Sequence, residues 1–155
     1  MKTLQILIQT NSSFGPLAAR LVLGLVMFPH GAQKVFGWFG GHGFAGTMQA
    51  FTGGMHIPAL FAFLAIAAEF AGSLGLIVGL LSRVAAFGIA SVMAVAILTV
   101  HASNGLFMNW AGNQKGEGFE YHILAIGLAL VVMIQGAGKA SLDGLLARRI
   151  ADRAA

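Results

Sequence analysis

The sequence predicts an all-α integral membrane protein: a four-helix bundle, one domain over residues 1–155, with a short amphipathic helix at its C-terminus. Three observations carry that prediction. The chain is 57% hydrophobic and only 9% charged, against roughly a quarter charged in soluble domains. Its apolar residues fall into four segments of about the 20 residues that cross a bilayer. Its basic residues stand mostly at the ends of those segments, as membrane topology requires.

The elements follow in order. The N-terminus has one Lys2, a short LQILI run and then the polar QTNSS. That pattern lacks a cleavable signal, so the first span is expected to insert and stay, with KTLQILIQT lying along the interface. Span one runs from about Pro16 to Phe36 and leads into GWFGGHGFAGTMQAFTGGMH, rich in Gly and aromatics. Span two, Pro58–Leu81, has 24 residues, about 36 Å of helix. Ser82 and Arg83 make a tight turn into span three, about Val84–His101. The linker ASNGLFMNWAGNQKGEG precedes span four, about Phe119–Gly138. In the tail, residues 139–155, SLDGLLARRIADRAA places Leu142, Leu145, Leu146 and Ile150 on one helical side, with arginines suited to a lipid surface.

Four spans put both termini and the tight turn on one side. Lys2, Arg20, Arg83, Lys139, Arg148, Arg149 and Arg153 belong to that side, against Lys34 and Lys115 on the other. The positive-inside bias then predicts cytoplasmic termini in a bacterial-type inner membrane, with the long loops outward. The same distribution excludes a nucleic-acid interface despite the net charge of +4, because no basic stripe forms. The absence of cysteine excludes thiol chemistry by this chain.

Ionisable groups inside a membrane are costly and mark function. Glu69 is the twelfth of the 24 residues of span two, near the bilayer midplane. Arg20, His30 and Lys34 of span one fall within a stripe of about 80° on a helix, beside Pro29, which kinks helices, and Gly31, which admits a neighbouring backbone. By topology His30, Lys34, His101, Glu120 and His122 share the outward end, with Glu69 deeper. Glu120 and His122 point about 200° apart on a helix. Glu120 is the expected pocket residue, since it can pair with Lys34. The structural alternatives are a neutral Glu69 bonded to a neighbouring helix, a snorkelling Lys34 and a helix merely bent at Pro29. Five histidines without HExxH-type spacing give no expectation of a metal or haem; His42 and His56 are expected to be solvated. GLIVG, with Gly75 and Gly79, permits close packing within the bundle or between copies. Trp38 and Trp110, with Phe36, Phe39 and Phe107, read as an interfacial belt, or as an aromatic mouth for a flat lipid-soluble ligand.

The series Arg20–Gly24–Pro29–His30–Gly31–Lys34, then Glu69–Gly72–Leu76–Gly79, then His101 and Glu120, resembles the DoxX family of small membrane proteins over roughly residues 16–136. The resemblance implies a four-helix membrane bundle linked to quinone-coupled oxidoreduction, including thiosulfate oxidation, and to membrane redox complexes. It carries over Arg20, Lys34, Glu69 and Glu120 as the positions of interest. The expected function is therefore a subunit of a quinone-coupled oxidoreductase. Glu69, His30, Lys34 and His101 would be catalytic; Arg20, Lys34, Glu120, His122 and Trp110 would bind the quinone. A membrane or soluble redox partner would supply electrons. The alternative is a non-catalytic accessory or assembly subunit, or a small-molecule carrier.

Overall fold

The structure, a computed structural model, describes residues 2–153. Met1 and the tail residues Ala154 and Ala155 lie outside the described residues. All regular structure among the described residues is helical: α1 Lys2–Ile8, α2 Phe14–Phe36, α3 Gly43–Gln49, α4 Ala59–Val78, α5 Ser82–Ala96, α6 Glu120–Gln135 and α7 Leu142–Asp152. The four long helices form a ring, α2 on α4, α4 on α5, α5 on α6 and α6 back on α2. Chain termini and the α4–α5 turn lie at one end, here the terminal end. The two long connections lie at the other, the loop end.

The local chemistry explains each boundary. Ser13 caps α2, its hydroxyl accepting the Gly15 N–H at 3.3 Å, and Gly37 ends the helix in the left-handed region at φ 74°. Pro29 lies inside α2, which continues through it. The core is a single cluster of Ala19, Leu23, Met27, Leu76, Ala86, Ile89, Met93, Ala125, Ala129 and Val132, contributed by all four helices. Large apolar side chains such as Phe61, Phe87, Leu98, Leu124 and Ile134 point outward and are exposed. An outward apolar coat is stable only in lipid. Three helical runs are long and apolar enough to cross a membrane: Phe14–Phe36, Ala59–Val78 and Ser82–Asn104.

Several expected boundaries move. The tight turn is Gly79–Leu81, and Ser82 and Arg83 already belong to α5. The third helical run continues beyond α5 through a π turn, Ile97–His101, and a 3-10 turn, Ala102–Asn104. Span four is shorter than expected. Its helix has 16 residues, about 24 Å, because Gly136 at φ 81° turns the chain across the bundle end. The first long connection is itself helical, with a 3-10 turn at Trp38–Gly40, then α3, then a π turn at Ala50–Gly54. Gly79 is not free for a second copy: a Cβ there would lie 2.5 Å from the Ser141 Cβ of the same chain. Gly75 faces the carbonyl of Leu80.

At the terminal end, buried charge is absorbed by main chain. Arg20 is 1% exposed. Its Nε donates to Ala137 C=O at 2.8 Å, Nη1 to Leu76 and Ile77 C=O at 2.8 and 2.7 Å, and Nη2 to Lys139 and Ala140 C=O at 3.2 and 2.6 Å. Leu76 and Ile77 lie at the C-terminal end of α4, where carbonyls lack helical partners and the helix dipole favours a cation. Asp143, also 1% exposed, does the complementary job. Its two carboxylate oxygens accept the Leu81 and Ser82 N–H at 2.7 and 2.9 Å, capping the N-terminus of α5 from α7. Arg83 donates to the carbonyls of Met133 and Gln9. The tail helix is thus held by Asp143 and Gly144, while Leu142, Leu145 and Leu146 face away from the protein.

Candidate functional site at the loop end

Two glycines let α2 and α4 approach. A Cβ at Gly24 would lie 3.0 Å from the Ser73 carbonyl oxygen, and one at Gly31 would lie 2.6 Å from the Phe70 Cα. The second contact seats α2 directly against the backbone that carries Glu69. Lys34, one helical turn beyond His30, then reaches across: its Nζ is 2.5 Å from Glu69 Oε2. Glu69 is 3% exposed. Phe70 packs against Phe28 and edge-on against Phe36, with centroids 6.1 and 5.1 Å apart, so apolar rings flank the ion pair.

A second group adjoins it. The His30 and Tyr121 rings are 6.2 Å apart, Tyr121 and His122 are 5.4 Å apart and nearly perpendicular, and His122 and His101 are 4.2 Å apart. Tyr121 Oη donates to Met27 Sδ at 3.3 Å. His101 Nδ1 lies 2.7 Å from the Glu117 carbonyl; since a carbonyl only accepts, Nδ1 carries the hydrogen. His122 Nδ1 is buried without any hydrogen-bond partner. The π turn delivers His101 here: it ends at that residue and adds width to the helix where α5 would otherwise close.

Of the expected site residues, Lys34, Glu69, His30, His101 and His122 come together. Arg20 does not. It sits ten residues before His30 on α2, about 15 Å along the axis, and its donors are engaged at the terminal end. Glu120 does not pair with Lys34. It accepts the Met108 N–H at 2.9 Å and the Trp110 Nε1–H at 3.1 Å, stitching the second loop to the start of α6. The relative facing is the reverse of the expected one: His122 turns inward and Glu120 toward the loop. Trp110 is 87% exposed, bonded to Glu120 and away from the ion pair. Two residues were not anticipated. Tyr121 is the only tyrosine in the chain, a signal that its place between Glu120 and His122 could have flagged. Asp143 lies in a polar tail with nothing in its surroundings to single it out.

Comparison with known proteins agrees with this architecture. The family model described as DoxX matches residues 15–102, which include Lys34, Glu69 and His101. A protein of Bacillus subtilis (strain 168) named "Putative oxidoreductase CatD" is 30% identical over 124 residues, 79% of this chain and 82% of that relative. No solved structure matches.

Proposed function

This chain belongs to the DoxX family of membrane proteins, and from that premise we propose that it is the membrane subunit of a quinone-coupled oxidoreductase system, with its working site at Lys34 and Glu69. One observation carries the reading: a lysine and a glutamate paired at 2.5 Å in the loop-end half of a lipid-embedded bundle. Neither helix needs the pair for folding, and pairs of this kind inside membranes mark proton or ligand paths.

The donor set suits a quinone head group. A quinone supplies a carrier of two electrons and two protons with an apolar body. Lys34 has three N–H donors and uses one on Glu69, leaving donors for a carbonyl oxygen. The Glu69 carboxylate takes or gives a proton as charge changes nearby. His30, exposed one turn from Lys34, extends the polar surface toward the loops. Phe28, Phe36 and Phe70 offer flat apolar contact. The electrons come from a redox partner or a soluble donor; reduced sulfur compounds are the donor class that the family resemblance implies. The basic residues at the terminal end favour that end as cytoplasmic and the site as outward-facing.

The test uses the full-length protein purified in mild detergent. Organic extraction identifies any copurified quinone, and tryptophan fluorescence follows binding of ubiquinone-1. The expected result is saturable binding that weakens at least tenfold in Lys34→Met, with electron transfer from thiosulfate to ubiquinone-1 falling at least a hundredfold in Glu69→Gln. Wild-type behaviour of both variants would defeat the reading. Loss of assembly with a partner, while quinone handling stays intact, would favour the accessory-subunit role instead.

A further inference from the structure

The histidine pair beside the ion pair has no part yet in that chemistry. His122 is 7% exposed and its Nδ1 is unpartnered. An unmet buried polar group costs about 1–3 kcal/mol and calls for a reason. Its neighbour His101, half-buried, has its Nδ1–H committed to the Glu117 carbonyl, so a neutral ring leaves Nε2 free to take a proton. A centroid separation of 4.2 Å is too short for the rings to share a metal, since tetrahedral ligation sets two imidazole centroids about 5 Å apart. It also makes two protonated rings repel, so the pair holds one excess proton at a time.

The surroundings give that proton a direction. From α2 the pair is approached by His30 and Lys34, from α4 by Glu69, and from its own helix by Tyr121. Glu120 and Glu117 turn their carboxylates to the loop, onto the N–H groups of Met108 and Asn109. The loop-end face is therefore reached through His101, and the interior face leads past Tyr121 and His30 to Glu69.

We propose that the stacked His101–His122 pair is a proton port, through which the Lys34–Glu69 site exchanges protons with water at the loop end. A proton accepted from water at His101 and one released from His122 toward the Glu69 carboxylate restore both rings to neutrality. The port deepens the reading of Lys34 and Glu69 as a redox-coupled site, and it is tested without any electron donor.

The experiment is a pH jump from a photolysed caged proton on the full-length protein in lipid nanodiscs, followed by time-resolved infrared spectroscopy. The protonated-carboxyl band of Glu69 is identified by its loss in Glu69→Gln. In wild type the band rises after the flash. In His122→Phe and in His101→Phe it rises at least tenfold more slowly to the same final amplitude, and added imidazole restores the rate in His122→Ala. Unchanged rates in either folded phenylalanine variant would overturn the port, as would a Glu69 that takes up no proton anywhere between about pH 4 and 9. Quinone binding is read separately, with ubiquinone-1. A normal infrared response beside absent quinone binding would sink the quinone reading and leave the port standing; the converse pattern would do the opposite.

Discussion

The two ends of this bundle both bury charge, and they satisfy it in opposite ways. At the terminal end the guanidinium of Arg20 spends its hydrogen bonds on five carbonyls, and Asp143 spends both oxygens on two backbone N–H groups; what is left over is the Ser82 hydroxyl. At the loop end a side chain meets a side chain, Lys34 with Glu69, and an imidazole nitrogen is left unmatched. Main-chain partners cannot change charge or move away, so the terminal end holds one state. Titratable partners can exchange protons, so the loop end is able to take more than one. The contrast separates charge that builds the fold from charge available for chemistry.

The strongest way to break that contrast is Arg20→Met. It leaves a bundle end of unpaired carbonyls and an uncompensated Asp143, and the expected loss is about 3–5 kcal/mol, measured by detergent-driven unfolding in mixed micelles. A small loss there would mean that the terminal end is not the anchor. Next is Asp143→Asn, which removes the charge at the α5 N-terminus and one good acceptor. The expected cost is about 1–2 kcal/mol, seen in the same unfolding assay and as faster amide exchange in the first turn of α5. The double variant Lys34→Met with Glu69→Leu sharpens the comparison from the other side. Replacing a buried pair with apolar residues is often neutral or stabilising, so its stability should stay within about 1 kcal/mol of wild type or rise, while quinone handling is lost. A fall as deep as that of Arg20→Met would make the two ends alike. Smallest is Trp110→Phe, which removes one partly exposed hydrogen bond to Glu120. Its cost should be a few tenths of a kcal/mol, with the tryptophan emission change localised to the loop.

These differences also explain what the sequence disclosed. Lipid makes every ionisable residue inside a span conspicuous, so Glu69, His30 and Lys34 could be found by composition and helical spacing alone, and the four apolar segments could be placed. The job of Arg20 could not, because its partners are carbonyls, which every residue has and no motif records. Asp143 was hidden for a related reason: in a polar tail an aspartate is ordinary, and its capping role exists only once α7 folds back over the α4–α5 turn. The choice between Glu120 and His122 was settled by the path of residues 105–118, which bring Met108 and Trp110 to Glu120. That path has no periodicity to read. The short α6 follows from Gly136 and from the strand of carbonyls that Arg20 gathers after it.

The π turn at Ile97–His101 is one residue too many for a regular α-helix, and that surplus sets the compass bearing of everything after it. Remove Thr99, and the following residues would swing by about 100° around the helix, carrying the imidazole at position 101 off its neighbour and out toward the acyl chains. No chemical group would have been deleted, yet the doorway would be shut. A functional position in this bundle is thus encoded in arithmetic as much as in identity, and relatives that differ in length across this one turn should differ in what they let through.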